Sequence, residues 1–313
     1  MRRQIDVSIV VLAYDFHYFD KCLESVSKQN IKKYEFIIIT DDECSVCELL
    51  RKHWSGKDIS NYIKIIFLSK TNAGSARNIG LDASTGKYII FIDDDDRYFD
   101  NNSIKELLYS AEMHHSNICC GRLVGMDKYD KLFKINYKND LDLIGIADFR
   151  KYQWYGGFQR CLFNRSFLIK NNIKFPELLR FQDAVFMVEA CIKSECVLFI
   201  DRVVYCYRKG HKQTSWTKEK AIDHLKAVNI LLDISKKFKL EKLHYLMVNN
   251  VVRMASVFSE IGMRSLGLVF LYQLMEAVEK IDIKLLRLHS GNMYVLFKPL
   301  YFIYVIYLLM RKK

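Results

Sequence analysis

An α/β fold with a nucleotide-binding type of sheet and a helical carboxyl-terminal extension is predicted by three features of this 313-residue sequence. Over the first hundred residues, short runs rich in β-branched and aromatic side chains alternate with segments of helical spacing. One of these runs, Tyr88 to Ile92, stops abruptly at four consecutive carboxylates, Asp93, Asp94, Asp95 and Asp96. From about Lys218 the spacing is helical throughout.

The strand-like runs are Val7 to Leu12, Phe36 to Ile39, Ile63 to Leu68 and Tyr88 to Ile92, with helical segments such as Phe19 to Ser27 and Ser75 to Ala83 between them. Such alternation predicts a parallel sheet with helices on both faces. Beyond it, Ile118 to Val124 and Leu132 to Ile135 read as strands, Leu179 to Lys193 as a helix and Val197 to Tyr207 as two short strands. This half is expected to cover the ligand edge of the sheet. Ala221, Leu225, Val228 and Leu232 then fall on one helical face, and similar spacing continues through Leu246 and Phe270. The expected division is residues 1–217 and 218–313.

Half of the residues are hydrophobic, so the chain can bury a full core. The net charge of +12 suits nucleic acid, an anionic membrane or phosphorylated substrates. Nucleic acid is not expected, because the basic residues are dispersed and no RNA-binding signature, zinc-finger spacing or basic region joined to heptads is present. Nine cysteines without a cleavable apolar leader predict a reducing compartment, the cytoplasm. Cys44 and Cys47 form a C-x-x-C with no second pair at zinc-ligand spacing, which reads as chance. Cys119, Cys120, Cys161, Cys191, Cys196 and Cys206 lie mostly in apolar stretches and read as free core thiols.

The four carboxylates belong at the carboxyl end of a strand, where open α/β sheets bind ligands. Clustered acids repel one another unless a cation holds them together. A hard divalent ion shared with a substrate diphosphate would supply that charge. The competing reading is a solvated turn whose Asp caps the helix Ile104 to Met113.

Taken together, these motifs resemble the inverting, GT-A-fold glycosyltransferases of family 2, which include bacterial capsule, lipopolysaccharide and O-antigen enzymes. The resemblance covers Val7 to Ser215. Ser8 to Asp15 is similar to the opening strand and loop, with Ala13 and Tyr14 against the nucleotide. Glu35 to Asp41 is similar to the second strand, whose terminal Asp41 reads the base. Asn72 to Gly80 resembles the loop and helix start beside the nucleotide. There glycine permits close backbone approach, the helix start offers free N–H groups and Arg77 suits phosphate; an ordinary capped helix entrance is the alternative. Gly86 to Asp96 resembles the D-x-D strand, which implies Asp93 and Asp94 at the nucleoside and Asp95 on Mn2+ or Mg2+.

Arg180 to Phe186 resembles the segment that carries the catalytic base, here Asp183, with Gln182 where a Glu is usual. A helix N-terminal acid favoured by the macrodipole is the alternative for Asp183. Tyr205 to Arg208 and His211 to Trp216 resemble the closing strand and mobile loop, which implies Arg208 and Lys212 on the diphosphate and His211 as a further phosphate or metal contact; a solvent-exposed loop histidine is the alternative for His211. Trp154 and Tyr155 read either as a stacking platform for an acceptor sugar or as buried aromatics. Leu12, Asp15 and Thr40 stand where the family often has Pro, Asn and Asp.

The resemblance implies metal-dependent transfer, with inversion, from a nucleoside-diphosphate sugar, expected to be a UDP-sugar. The acceptor would be a hydroxyl of a growing surface glycan or lipid-linked sugar. Two other readings stay open. A sugar nucleotidyltransferase would carry a Gly-rich basic loop after the first strand, and Val11 to Phe16 has none. A non-catalytic, membrane-associated scaffold subunit would keep the fold without the chemistry.

Met293 to Met310 is an apolar run broken by Lys298 and Pro299 and followed by Arg311, Lys312 and Lys313. Its uninterrupted part, Leu300 to Met310, is too short to span a bilayer. Tyr301, Tyr304 and Tyr307 suit a helix lying on the inner leaflet of the cytoplasmic membrane. Core or oligomer packing, including a homodimer, and a tilted span are the alternatives.

Overall fold

A computed structural model describes residues 5–54, 62–69, 71–135, 143–153, 155–211, 215–261 and 263–286. Its strands are β1 (Val7–Ala13), β2 (Tyr34–Thr40), β3 (Ile63–Phe67), β4 (Tyr88–Asp93), β5 (Arg97–Tyr98), β6 (Ile118–Met126), β7 (Leu132–Phe133), β8 (Gly145–Asp148), β9 (Cys161–Asn164) and β10 (Cys196–Arg208). They form one sheet in the order β3-β2-β1-β4-β9-β6-β10-β5, with β7 paired to β6 and β8 to β10.

The parallel half is β3-β2-β1-β4. Every residue of β1 is buried, as a strand covered on both faces requires; hence its unbroken apolar run. The register pairs Ala13 with Thr40 and Leu12 with Asp93, so β1, β2 and β4 end flush along one edge. On one face lies the helix Phe19–Ser27, which buries Phe19, Cys22, Leu23 and Val26 at helical spacing. The helix Ala73–Ala83 packs so closely on β1 that a Cβ on Gly80 would lie 2.4 Å from a Val10 methyl.

Past β4 the sheet turns mixed. β9 enters antiparallel between β4 and β6, and β10 runs parallel to β6 and antiparallel to β5. The later strands therefore extend the sheet as well as following it in sequence. Val197 to Tyr207 is a single strand, not two: register shifts between Phe199 and Val203 and between Val203 and Tyr205 carry it past the charged pair Asp201-Arg202. The β7 strand is shorter than Leu132 to Ile135, and the helix read from Leu179 starts at Gln182. No member of the acid run caps the helix Ser103–Met113; Asn102 holds that position, and Asp100 accepts from the Asn102 amide at 2.9 Å.

Cys120 and Cys161, expected as free thiols, are joined by a disulfide. They are directly opposed residues of antiparallel β6 and β9, which brings their Cβ atoms together. Cys119, Cys191 and Cys206 are buried free thiols, whereas Cys196 is exposed.

The chain divides into two compact units, Met1–Glu177 with Glu189–Gln213, and Leu178–Val188 with Thr214–Lys313. The second contains the helices Lys218–Lys237, Glu241–Ile261 and Met263–Glu279, the last interrupted by a left-handed Gly267 at φ 75°. Ala221, Leu225, Val228 and Leu232 are all buried, as their spacing predicts. Two histidines are buried there. His244 bonds Ser235 Oγ through Nδ1 at 2.8 Å and accepts the Asp282 amide at Nε2 at 2.9 Å. His224 lies against Asn250 and stacks on Phe181. Among the described residues no helix is long and apolar enough to cross a membrane. The apolar run Met293 to Met310 lies outside them.

Candidate active site

Each acid of the run has its own partners, and they differ sharply. Asp94 is buried and accepts the Tyr14 and Asp15 amides at 3.0 and 2.9 Å, which pins the loop after β1. Asp96 is 1 % exposed and accepts the Arg208 amide at 2.6 Å and the Tyr205 hydroxyl at 2.8 Å. Burial first, and then the charges of Asp93 and Asp95, push its carboxyl well above the usual range. Asp94 and Asp96 thus brace the turn from beneath.

Asp93 and Asp95 stay closer to solvent. Asp93 accepts Arg77 Nη2 at 2.7 Å on one oxygen and Gln159 Nε2 at 3.0 Å on the other. Asp95 Oδ2 lies 2.7 Å from His211 Nε2, and the Asp95 carbonyl accepts Arg208 Nε at 2.7 Å. The resemblance singles out Asp95 and His211 separately, and the fold brings them together across 116 residues of chain.

Arg77 is 7 % exposed on the helix Ala73–Ala83, with its guanidinium 4.7 Å from the Phe158 ring centroid. Its Nη1 is buried without a hydrogen-bond partner. Asn72 caps the helix, accepting the Ser75 amide at 2.7 Å. The close approach at Gly74 is to the chain itself: a Cβ there would meet the Pro176 carbonyl oxygen at 2.5 Å.

At the opposite corner, Ala13 is the buried last residue of β1. Tyr14 follows, its hydroxyl raised above its ordinary pKa by burial and then by the Asp41 charge. Asp41 is exposed just past β2, and Asp42 caps the helix Glu43–His53 by accepting the Ser45 amide at 3.0 Å.

Arg208, expected at a diphosphate, is 2 % exposed and engaged by the chain's own acceptors. Besides Asp95 O, it donates Nη1 to the Asp127 carbonyl at 2.7 Å and pairs Nη2 with Asp130 at 2.7 Å. Its guanidinium lies 3.9 Å from the Tyr18 ring centroid. Gln159, Tyr18 and Asp130 carry no motif in the sequence; only long-range pairing reveals them. Asp183 sits half-buried in the first turn of the helix Gln182–Ser194, within the second unit. Lys212 and Trp154 lie outside the described residues.

Among the described residues no three His, Cys, Asp or Glu side chains converge as a metal cage. The Asp95 carboxylate and His211 imidazole still fit a divalent ion such as Mn2+, one oxygen and one nitrogen donor side by side at a strand end. Ions in phosphate sites commonly take one or two protein ligands and complete their shell with substrate phosphates and water.

A flush parallel edge ending in an acid turn, which an arginine from the last strand and a histidine just after it both meet, is the architecture of the GT-A fold. Residues 8–183 match the profile of Glycosyl transferase family 2, and the chain belongs to that family. It is 27 % identical over 215 residues to the uncharacterised glycosyltransferase EpsJ of Bacillus subtilis, covering 65 % of this chain and 61 % of EpsJ. It is 24 % identical over 215 residues to the poly(ribitol-phosphate) beta-N-acetylglucosaminyltransferase TarS of Staphylococcus aureus, covering 66 % of this chain and 37 % of TarS. The matches thus span less than two thirds of either relative. The fold is similar to that of TarS residues 1–349 in complex with UDP-GlcNAc, at a TM-score of 0.71 and 15 % identity over 95 % of this chain and 89 % of that one.

Proposed function

We propose that the chain is a metal-dependent glycosyltransferase that moves a sugar from a UDP-sugar to a hydroxyl of a growing surface glycan, with inversion. The observation that carries this reading is the unpaired, buried Arg77 Nη1 beside Asp93. A buried guanidinium donor without an acceptor is costly unless a ligand supplies one, and a phosphate or ribose oxygen would do so.

In this reading Asp41 contacts the base, with Ala13 and Tyr14 lining its seat. Asp93, braced by Arg77 and Gln159, faces the ribose, and Asp94 fixes the loop after β1 that closes on the nucleoside. Asp95 and His211 hold a Mn2+ or Mg2+ ion, which supplies Lewis-acid charge against a diphosphate leaving group. Lys212 adds positive charge to the same phosphates. Arg208 acts from below, holding the Asp95 carbonyl. Asp183 takes the proton of the acceptor hydroxyl as that oxygen attacks the anomeric carbon from the face opposite the diphosphate. The basic, Tyr-bearing end of the sequence suits attachment to the inner leaflet, where a lipid-linked acceptor would be found.

Calorimetric titration with UDP, with GDP as comparison, in the presence and absence of Mn2+, tests the reading. Micromolar UDP binding that needs Mn2+ and is lost in Asp95→Ala is the expected result. A folded protein that binds neither nucleotide overturns it.

A further inference from the structure

The turn between β6 and β7 is built as an acceptor for Arg208. Asp127 Oδ1 accepts the Tyr129 and Lys131 amides at 2.8 and 2.9 Å, and the Asp130 amide returns to the Asp127 carbonyl at 3.1 Å. Asp130 takes a left-handed backbone, φ 67°. The Asp127 carbonyl and the Asp130 carboxylate consequently meet the two terminal nitrogens of Arg208. Asp130 also pairs with Lys21, from the helix Phe19–Ser27.

On its other side, Arg208 donates Nε to the Asp95 carbonyl and its own amide to Asp96. The Tyr18 ring lies under its guanidinium and stands edge-on to the His211 ring at 5.4 Å. Two groups assigned above to the metal are therefore held from one point: Asp95 through its carbonyl, and His211 through the short chain that leaves Arg208 and the shared Tyr18 ring. Asp130 supplies the countercharge for that point, since the Arg208 side chain is 1 % exposed and pairs with no other carboxylate side chain among the described residues.

We propose that Asp130 is a positioning residue for the Asp95–His211 pair, acting through Arg208. It touches neither nucleotide nor ion. Removing its charge leaves a buried guanidinium uncompensated, and the arginine then shifts toward the remaining carboxylates and carries the Asp95 carbonyl and the His211 loop with it. Because the inference rests on the metal reading above, its test needs a signal that exists without metal.

The experiment uses the full chain labelled with 15N-histidine, with the His211 imidazole resonances identified by their disappearance in His211→Gln. In Asp130→Asn, which suits the left-handed backbone, those resonances move in metal-free protein. In Lys21→Met they stay, because Arg208 keeps its carboxylate. Addition of Mn2+ broadens the wild-type His211 signal, and Asp130→Asn needs about tenfold more Mn2+ for the same broadening. Should the Asn variant fold poorly, Asp130→Gly, at ease at positive φ, gives the same readout. A drop in unfolding midpoint with unmoved His211 resonances overturns the proposal and leaves Asp130 a purely structural residue. If Mn2+ broadens His211 in no variant, the metal reading fails instead, and the metal-free shift alone decides the role of Asp130.

Discussion

The sheet unit and the helical unit both bury polar groups, but a proton acts on them with opposite sign. In the sheet unit the acid turn buries a carboxyl, Asp96, whose neutral form the fold favours. In the helical unit His224 and His244 are buried as neutral imidazoles, and burial lowers both to about 4. The hydrogen bonds of His244 require this: Nε2 accepts a backbone amide, so a proton there would break the bond to Asp282. Beside Asp96 the sheet unit also buries the charged guanidiniums of Arg77 and Arg208, whereas the helical unit buries these histidines only as far as they stay neutral.

Mild acid should pull the two apart. The folded histidine values lie below the ordinary 6.5, so their contribution is complete above that pH. It falls as the pH drops and is gone near pH 4. At pH 5 the helical unit should have lost about 2 kcal/mol per histidine, about 4 for the pair. Asp96, raised in the fold, moves the other way: its burial cost is relieved as the pH drops through its folded value and is gone below the ordinary carboxylate range. Asp130 is lowered: burial raises it, but its bonds to Lys21 and Arg208 prevail, so its contribution survives until the pH falls below the ordinary carboxylate range. Urea unfolding at pH 7.5 and pH 5, followed by fluorescence of Trp216 beside His224, measures the histidine effect. Equal midpoints would remove the contrast.

A smaller effect sharpens the same comparison at neutral pH. Arg208→Met should destabilise the sheet unit by about 3 kcal/mol, the lower end for breaking a buried ion pair, because Asp130 keeps Lys21 and some water. Hydrogen exchange should place that loss in β6 and β10. Smallest is Asp42→Ala, which removes the N-cap of the helix Glu43–His53 and should lower the unfolding midpoint slightly. A thermal melt checks it, and the shift should be the same at pH 7.5 and pH 5, since the histidines are not involved.

These contrasts also explain what could be read in advance. The run Val7 to Leu12 announces a strand buried on both faces, and Tyr88 to Ile92 followed by four acids announces where the next strand of that sheet ends, because both signals are local. Asp95 and His211 are legible as separate motif positions. Their shared anchor is not, because Arg208, Tyr18 and Asp130 are joined only by tertiary contacts and each looks ordinary in its own stretch of sequence. Arg208 shows the risk most plainly: a basic residue in a phosphate-facing motif invites a ligand, and burial gives it to the Asp127 carbonyl and Asp130 instead. The Cys120–Cys161 disulfide escaped for a related reason, since the pairing of β6 with β9 is a matter of topology. The single β10 strand escaped because Asp201 and Arg202 look like a break until the register shifts are seen.

Surface hairpin turns are ordinarily where a protein family tolerates added or lost residues. The turn from Asp127 to Lys131 should be an exception. Its carbonyl and carboxylate must reach Arg208 together, and the Asp127 amide closes it on the Lys131 carbonyl at 3.0 Å. One inserted residue would rotate Asp130 off that line while leaving the strands intact. Among relatives that keep an arginine at the end of the last strand, the length of this turn should drift far less than that of other exposed loops.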